Sequence, residues 1–292
     1  MKKKILALIL ACAMILALAA CSGSANTEQP AAENTASDAA EAPAASEETA
    51  ASAEGKTYTV GVCQLVQHEA LDAATQGFCD ALTEALGDAV TIDVQNASGD
   101  SVNCGTIVNG FVSKNVDLIM ANATPALTAA ASATADIPIL GTSITAYGVA
   151  LDIADFSGTV GGNISGTSDL ADLSAQAQMI LDWFPETQKV GLLFCSAEPN
   201  SRYQIEEVAK YLSDKGVETE EFAFTDTNDV ASVTQSAADY SDVVYIPTDN
   251  TAAANTEAIG NVLIPAGVPA ICGEEGICRG CGVATLSISY YD

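Results

Sequence analysis

The feature that most constrains the fold of this chain is a regular alternation of short apolar runs with segments of helical spacing. Runs such as 57–66, 116–123 and 242–248 have the composition of buried strands, whereas 69–86 places its apolar residues at helical intervals. Apolar strands that alternate with helices are typical of parallel sheets covered on both faces. The alternation therefore predicts an α/β fold.

The alternation is interrupted once, at 144–169, where the sequence is rich in Gly and Ser and has no helical period. The predicted strands are 57–66, 89–97, 116–123, 137–143, 189–196, 217–225, 242–248, 268–274 and 282–288. The predicted helices are 69–86, 102–114, 125–135, one ending within 179–185, 198–216, 229–239 and 250–267. Two similar lobes joined in this way predict a cleft, because ligands of open parallel sheets bind beyond the carboxyl ends of the strands. We assign 56–160 to lobe 1, 161–285 to lobe 2 and 286–292 to the start of a crossover back to lobe 1.

The N-terminus differs from the rest of the chain. Three lysines precede an apolar run from Ile5 to Ala20, which is short for a membrane span and predicts a signal peptide over residues 1–20. The ending Leu18-Ala19-Ala20-Cys21 resembles the bacterial lipobox, in which the cysteine is lipidated and becomes the mature N-terminus. The alternative is an ordinary signal peptide with a chance cysteine. We expect Cys21 to anchor the chain to the outer face of the cytoplasmic membrane.

Residues 21–55 form a second distinct segment, composed mainly of Ala, Ser, Thr, Pro and Glu. Such a composition cannot bury enough apolar surface to offset the entropy of ordering, so we predict a disordered, acidic tether. A long helix is disfavoured by Pro30 and Pro43. The formal net charge of −28 makes nucleic acid a poor partner.

Nine cysteines are present, and Cys272, Cys278 and Cys281 form a triplet that could indicate a zinc or redox site. A structural zinc site requires four ligands, but there is one Cys-x-x-Cys pair, and the single histidine, His68, lies far away in sequence. We predict no metal and no cofactor. The state of the thiols stays open: they are free, joined as Cys272–Cys278 or as Cys278–Cys281, or, as the least favoured alternative, metal-binding.

Polar clusters follow the predicted strands at 64–68, 122–125, 141–145, 196–201, 248–251 and 273–276. Hydroxyls, amides and helix N-termini can bind a carboxylate, and acidic side chains can hold an ammonium group. Together they suit a zwitterion such as an amino acid. The alternative is structural: Thr124 and Thr251 would cap helices, and Glu198 and Glu275 would be solvated acids in first turns.

Signals of catalysis are weak. The sequence has no Gly-x-Ser-x-Gly elbow and no P-loop, and "GTVGGN" at 158–163 lacks the strand–glycine–helix context of a dinucleotide site. A Ser-His-Asp triad would have to recruit His68. We therefore predict that the chain is not an enzyme, with a surface hydrolase as the less favoured alternative.

Five segments resemble one family along nearly the whole folded region. They are "GVCQLVQHEALDAATQGFCDAL" (61–82), "GGNISGTSDL" (161–170), "SAEPNS" (196–201), "VVYIPTDNT" (243–251) and "EEGICRGCGVATLSISYYD" (274–292). They are similar to the tryptophan/tyrosine-type substrate-binding lipoproteins of bacterial ABC transporters. The resemblance implies two Rossmann-like lobes of the type I periplasmic-binding fold. It also implies a monomer that captures an aromatic amino acid by lobe closure and delivers it to permease and ATPase subunits.

Three departures from the family pattern affect this interpretation. Glu-His-Pro-Ala-Leu-Asp is usual where this chain has Gln67 to Asp72, so an acid beside the cleft is lost. Two cysteines in 274–282 are additional. The family continues beyond the segment that ends at Asp292 with a helix and a strand, so the resemblance leads us to expect a C-terminally truncated chain.

The candidate ligand-binding residues are Gln64, Gln67, His68, Thr124, Thr142, Ser143, Ser168, Asp169, Glu198, Asn200, Ser201, Asp249, Asn250 and Glu274. The candidate ammonium partners are Asp249, Asp169 and Glu274. The candidate carboxylate partners are Thr124, Thr142, Ser143 and Ser201. An apolar slot could be formed by Leu65, Pro125, Tyr147, Tyr203 and Tyr290.

Two further alternatives to a transport protein stay open, a ligand sensor that acts on a membrane kinase and an adhesive lipoprotein. We also predict that Asp249→Ala weakens ligand binding and leaves the fold near intact. If stability falls and binding survives instead, Asp249 is a helix cap.

Overall fold

The computed structural model describes residues 55–292 and contains two five-stranded sheets, each wholly parallel. The predicted α/β fold is confirmed. The predicted signal peptide, the lipidation site at Cys21 and nearly all of the tether lie outside the described residues. Within residues 55–292, no helix is long and apolar enough to cross a membrane.

The strands are β1 (Tyr58–Gln64), β2 (Val90–Asn96), β3 (Leu118–Asn122), β4 (Ile139–Ile144), β5 (Ile164–Ser168), β6 (Lys189–Cys195), β7 (Glu218–Phe224), β8 (Val243–Ile246), β9 (Ala270–Cys272) and β10 (Ala284–Thr285). The first sheet has the order β2-β1-β3-β4-β5 and the second has the order β10-β9-β8-β6-β7. We refer to the two sheets with their helices as lobe 1 and lobe 2.

The helices are α1 (Glu69–Leu86), α2 (Ser101–Ser113), α3 (Thr124–Ala133), α4 (Tyr147–Ala150), α5 (Leu173–Trp183), α6 (Pro199–Asp214), α7 (Val230–Tyr240), α8 (Asn250–Ala253), α9 (Thr256–Ala266) and α10 (Glu275–Cys281). Helix α1 has the bounds that its apolar spacing predicts. Strand β8 is buried at every position, as expected for a central parallel strand covered on both faces.

Strand β5 corrects the expected lobe boundary. Residues 161–168 were assigned to lobe 2, but β5 pairs with β4 at the edge of the first sheet. Its sequence, Ile-Ser-Gly-Thr-Ser, is exposed at four of five positions, so no apolar run marks it as a strand. Tyr147 holds this edge by donating its hydroxyl to the carbonyl oxygens of Gly141 (3.0 Å) and Thr167 (3.2 Å).

Two helix predictions were also wrong in detail, and short helices were missed. The predicted helix 250–267 is divided into α8 and α9, which are separated by Ala254 and Asn255. Helix α10 was not predicted, because its seven residues are too few to show a period. Thr124 does not cap α3: it is the first helical residue, and the cap position is Ala123, which has a φ of 90° and offers no side-chain oxygen.

The chain passes between the lobes at two places. Residues 169–172 connect β5 of lobe 1 to α5, which packs in the core of lobe 2. Residues 286–292 leave β10 of lobe 2 and reach α1 of lobe 1, where the Tyr291 hydroxyl donates to Asp80 at 2.8 Å. The two crossings meet, because the Tyr290 hydroxyl donates to Asp169 Oδ2 at 2.9 Å.

Candidate functional site

A small cavity lies between the lobes, where the carboxyl ends of the two sets of strands face each other. In this arrangement its open volume is about 10 Å³, so the lobes must separate to admit anything larger than a water molecule. Seven of the predicted site residues line it: His68, Ser143, Asp169, Asn200, Asp249, Asn250 and Glu274. The remaining lining residues are Ala70, Leu71, Thr145, Thr248, Ala253 and Tyr290. Half of the predicted set, which is scattered over 207 positions of the sequence from His68 to Glu274, is thus brought to one place.

Unpartnered polar atoms are concentrated at this cavity. Within residues 55–292, seven buried side-chain polar atoms have no hydrogen-bond partner, and four of them belong to residues that line the cavity. These four are His68 Nδ1, Ser143 Oγ, Asp169 Oδ1 and Asn200 Oδ1. Buried polar groups are nearly always paired, since each unpaired group costs about 1–3 kcal/mol. Their convergence makes this cavity the candidate binding site.

The hydrogen-bond network fixes the role of His68. Asn250 Nδ2 donates to Glu198 Oε2 at 2.7 Å, which turns Asn250 Oδ1 toward His68 Nε2 at 3.2 Å. Because Oδ1 can only accept, Nε2 carries the proton in the neutral ring and Nδ1 is left as an acceptor facing the cavity. Burial lowers the pKa of His68 and so favours this neutral form. His68 belongs to lobe 1 and Asn250 to lobe 2, so the same bond also joins the lobes.

The three carboxylates that line the cavity differ in how many of their oxygens already accept a hydrogen bond. Asp249 accepts from the amides of Cys195 (2.7 Å) and Ala252 (2.8 Å), one at each oxygen, and therefore caps α8. Glu274 caps α10 through the amides of Gly276 (2.7 Å) and Ile277.

Asp169 has a different arrangement. Its Oδ2 accepts from Tyr290, whereas its Oδ1 has no partner. Burial raises the pKa of Asp169, and the nearby hydroxyls of Tyr290 and Thr145 oppose that rise. Of the three lining carboxylates, Asp169 is the one with an oxygen free for a ligand.

Glu198 lies behind the cavity and holds α8 in place. Its carboxylate accepts from the backbone amides of Asn250 (3.0 Å) and Thr251 (2.8 Å) and from both of their side chains (2.7 Å each). The acid was expected to be either a ligand contact or a solvated residue of a first turn. The structure instead gives it a buried position from which it orients Asn250 toward the cavity.

Asn200 completes the lobe 2 wall. Its Nδ2 lies within 3.3 Å of three acceptors, on Glu198, Ser201 and Thr248, so its Oδ1 is directed into the cavity. On the lobe 1 side, Ser143 has a φ of 56°, and the pairing of β4 with β5 shifts register there. An irregularity of this kind redirects side chains at a strand end, and here it accompanies an unpaired hydroxyl.

The other predicted residues lie outside the cavity. These are Gln64, Gln67, Thr124, Thr142, Ser168, Glu198 and Ser201. Gln64, for example, is bonded to Thr75 (2.6 Å) and Asp72 (2.6 Å) within lobe 1. Of the proposed apolar slot, Tyr290 lines the cavity, whereas Tyr147 and Tyr203 line a separate groove.

The charge of the lining is one-sided. It contains three acidic residues and no Lys or Arg. Within residues 55–292, no group of three or more His, Cys, Asp or Glu side chains has the geometry to hold a metal ion. The only ionised side chains that a positively charged ligand group would meet among these lining residues are therefore acidic.

Two parallel-sheet lobes that close over a polar cavity define a bilobal binding protein of the type I periplasmic-binding class. The profile of the family described as ABC transporter substrate binding protein matches residues 59–292, and the chain belongs to this family. The family resemblance seen in the sequence is thereby confirmed. The family is one of substrate-binding proteins rather than of enzymes.

Individual relatives are similar over most of the described region. A protein named "Tyrosine-binding protein" from Clostridioides difficile (strain R20291) is 33% identical over 238 residues, which cover 80% of this chain and 69% of that protein. An ABC domain from Streptococcus pneumoniae in complex with L-Trp is 30% identical, with a TM-score of 0.77 over 81% of this chain and 80% of that chain. A ligand-free, open substrate-binding protein with adhesive properties from Clostridium difficile is 32% identical, with a TM-score of 0.57 over 80% of each chain.

Proposed function

We propose that this chain is the extracytoplasmic substrate-binding lipoprotein of an ABC importer and that it captures an aromatic amino acid, Trp, Tyr or Phe, between its lobes. The observation that carries the proposal is the convergence of the four unpartnered polar atoms on one interlobe cavity. The aromatic class is supported by the relative named for tyrosine binding and by the relative crystallised with L-Trp.

The ligand ammonium would be held by three acceptors. These are Asp169 Oδ1, His68 Nδ1 and Asn200 Oδ1, each of which is buried without a partner. An ammonium group has three N–H donors, one for each acceptor. Asp169 supplies the charge, since Asp249 and Glu274 already accept backbone amides at both oxygens.

The other parts of an amino acid have counterparts in the lining. Ser143 Oγ is a free hydroxyl for the ligand carboxylate, and Thr145 and Thr248 place two more hydroxyl-bearing side chains at the same wall. The apolar lining comes from Leu71 and Tyr290, with Ala70 and Ala253 as small neighbours. We propose that this part of the wall contacts the aromatic ring.

Binding would favour the closed arrangement, because the proposed contacts come from both lobes. Lipidation at Cys21 would hold the protein on the outer face of the cytoplasmic membrane. From there the closed monomer would deliver its ligand to permease and ATPase subunits.

A thermal-shift screen of the full chain against the twenty amino acids tests the ligand class. A ligand that binds the native state alone raises the melting temperature, so we expect a rise with at least one of Trp, Tyr and Phe. 3-Phenylpropionate, which lacks the ammonium group, serves as the matched negative control. If none of the three aromatic amino acids raises the melting temperature, the ligand assignment is wrong.

Adhesion is a second candidate, favoured by the adhesive properties of the Clostridium difficile relative. It does not require a small ligand. Titration calorimetry that finds no saturable binding of any amino acid, together with attachment of the purified chain to host cells, would favour adhesion over transport.

A further inference from the structure

Three thiols of lobe 2 gather beside the cavity. Cys272 is the last residue of β9, and Cys278 and Cys281 lie on α10, which packs against that strand. All three are free cysteines in one apolar cluster. The segment between Cys272 and Cys278 includes Glu274, which lines the cavity.

We propose that Cys272 and Cys278 form a dithiol–disulfide site in the wall of the cleft and that it is oxidised by low-molecular-weight disulfides. The position of Gly282 shows how close the two residues are. A methyl group on Gly282 would overlap the Cys272 sulfur and lie 3.0 Å from Cys278 Cα. The Cys272 sulfur and the Cys278 backbone thus lie on either side of one point, so the two residues are close neighbours, as a disulfide requires.

The two thiols differ in a way that suits sequential reaction. Cys278 is half-buried and can be reached by a small oxidant, whereas Cys272 is fully buried. Hydrogen bonding from the Cys272 thiol lowers the pKa of Cys278 to about 7, so a large share of Cys278 is thiolate near neutral pH. The same contact, with Cys281 and burial adding to it, raises the pKa of Cys272.

Cys281 is the less suitable partner. Its thiol is buried and donates to the carbonyl oxygen of Ile277 at 3.3 Å within its own helix. Cys278 therefore acts as the attacking residue and Cys272 as the resolving residue.

The reaction with a disulfide such as oxidised glutathione balances in two exchanges. The Cys278 thiolate attacks one glutathione sulfur, which forms a mixed disulfide and releases one glutathione thiolate. The Cys272 sulfur, on losing its proton, then attacks Cys278 and releases the second glutathione. Two protein thiols are oxidised, one small disulfide is reduced, and the two protein protons end on the two glutathione thiols.

The full chain, purified under reducing conditions and treated with oxidised glutathione in its native state, tests the site. Peptide mapping by mass spectrometry is expected to find a Cys272–Cys278 linked peptide that disappears on reduction. Cys278→Ser, which changes a half-buried position, should abolish that peptide. The matched variant Cys281→Ser should keep it.

Three results would overturn the proposal. One is a link between Cys278 and Cys281. Another is a stable mixed disulfide of glutathione on Cys278 with Cys272 still free to be alkylated after unfolding. The last is the absence of any modification at Cys278 under conditions that modify the half-buried Cys79, a thiol of comparable exposure with no cysteine partner in the structure. Because peptide mapping detects the disulfide itself, the result does not depend on which ligand the protein binds.

Discussion

Two buried aspartates of the cavity show how the same residue type takes different roles. Asp169 and Asp249 are 6% and 1% exposed, and burial raises the pKa of each. Asp249 accepts two backbone amides, whereas Asp169 keeps one oxygen unpaired. The two aspartates are thus similar in burial and in charge. The number of hydrogen bonds that each accepts distinguishes the structural role of Asp249 from the candidate ligand contact of Asp169.

Asp169→Asn is expected to lower affinity for the aromatic amino acid by about 10- to 100-fold, since a hydrogen bond to a charged group contributes about 1.5–3 kcal/mol. The melting temperature of the ligand-free protein should not fall, because the change removes a buried charge with an unpaired oxygen. Titration calorimetry and thermal melting give the two readouts. Unchanged affinity would remove Asp169 from the site.

Asp249→Ala is expected to lower the free energy of unfolding by about 2 kcal/mol, because it removes a helix cap and leaves the amide of Cys195 without its acceptor. Urea unfolding measures the effect, with the exposed Asp239→Ala as control. These two hydrogen bonds make a loss of stability the expected outcome, in place of the near-intact fold predicted from sequence. A variant as stable as the control that has lost ligand binding would restore Asp249 as a ligand contact.

For individual residues, the sequence predicts which side chains line the cavity better than it predicts what each of them does there. His68 and Asn200 were found because polar residues that follow parallel strands meet at one edge, whereas Asp169 lies in segment 161–170, which resembles the family. The hydrogen bonds from α8 to Glu198 could not be predicted from the sequence. They join residues 52 and 53 positions apart, which the packing of lobe 2 brings together. Tyr290 was named only as a possible apolar contact, because its bond to Asp169 depends on where the second crossing runs.

Among the elements, α8 depends most on a distant residue. It has four residues, too few to be stable alone, and its first turn is held by Glu198 at one side and capped by Asp249 at its start. Its position sets that of Asn250, which meets His68 across the cleft. We therefore expect the order of this short helix to depend on lobe closure.

Glu198→Ala is expected to lower the free energy of unfolding by about 3 kcal/mol and to weaken ligand binding as well, since it removes a buried acceptor of five hydrogen bonds. Denaturant unfolding and calorimetry measure both effects. Glu207→Ala, at an exposed position of α6, is the matched control and should change neither. An effect on affinity alone would show that Glu198 contacts the ligand directly.

Elements with strong periodicity were predictable and weakly patterned ones were not. Helix α1 spans 18 residues, and its bounds follow from its apolar face. Strand β5 is a polar edge strand held by pairing and by Tyr147, and α10 has seven residues capped by Glu274. The local sequence gives little indication of β5 or α10, because long-range contacts stabilise both elements.

The whole molecule is acidic, with a formal net charge of −28, and three of its acidic residues are buried at the cavity. Burial raises the pKa of Asp249 to about 7 and also raises that of Asp169 and of Glu274. A carboxyl whose pKa is higher in the folded than in the unfolded state binds its proton more tightly when folded. Its stabilising effect is therefore present at low pH and is lost as pH rises from about 4 to 7.

The ligand-free chain is accordingly expected to melt at a higher temperature at pH 5.5 than at pH 7.5. Neutral His68 acts in the opposite direction as a single group, since burial lowers its pKa. The difference between the two pH values should shrink in Asp169→Asn and persist in the exposed Asp182→Asn. Equal differences in all three proteins would show that Asp169 does not contribute to the pH dependence.

The hydrogen bond between Tyr290 and Asp169 joins the two chain crossings, so the proposed charge partner of the ligand lies near the axis about which the lobes would turn. When a rigid body rotates, each of its points moves in proportion to its distance from the axis. A displacement of a fraction of an ångström at Asp169 would become several ångströms at the outer ends of the lobes. A partner that contacts only the outer ends of the lobes would then respond to ligand binding without touching the ligand.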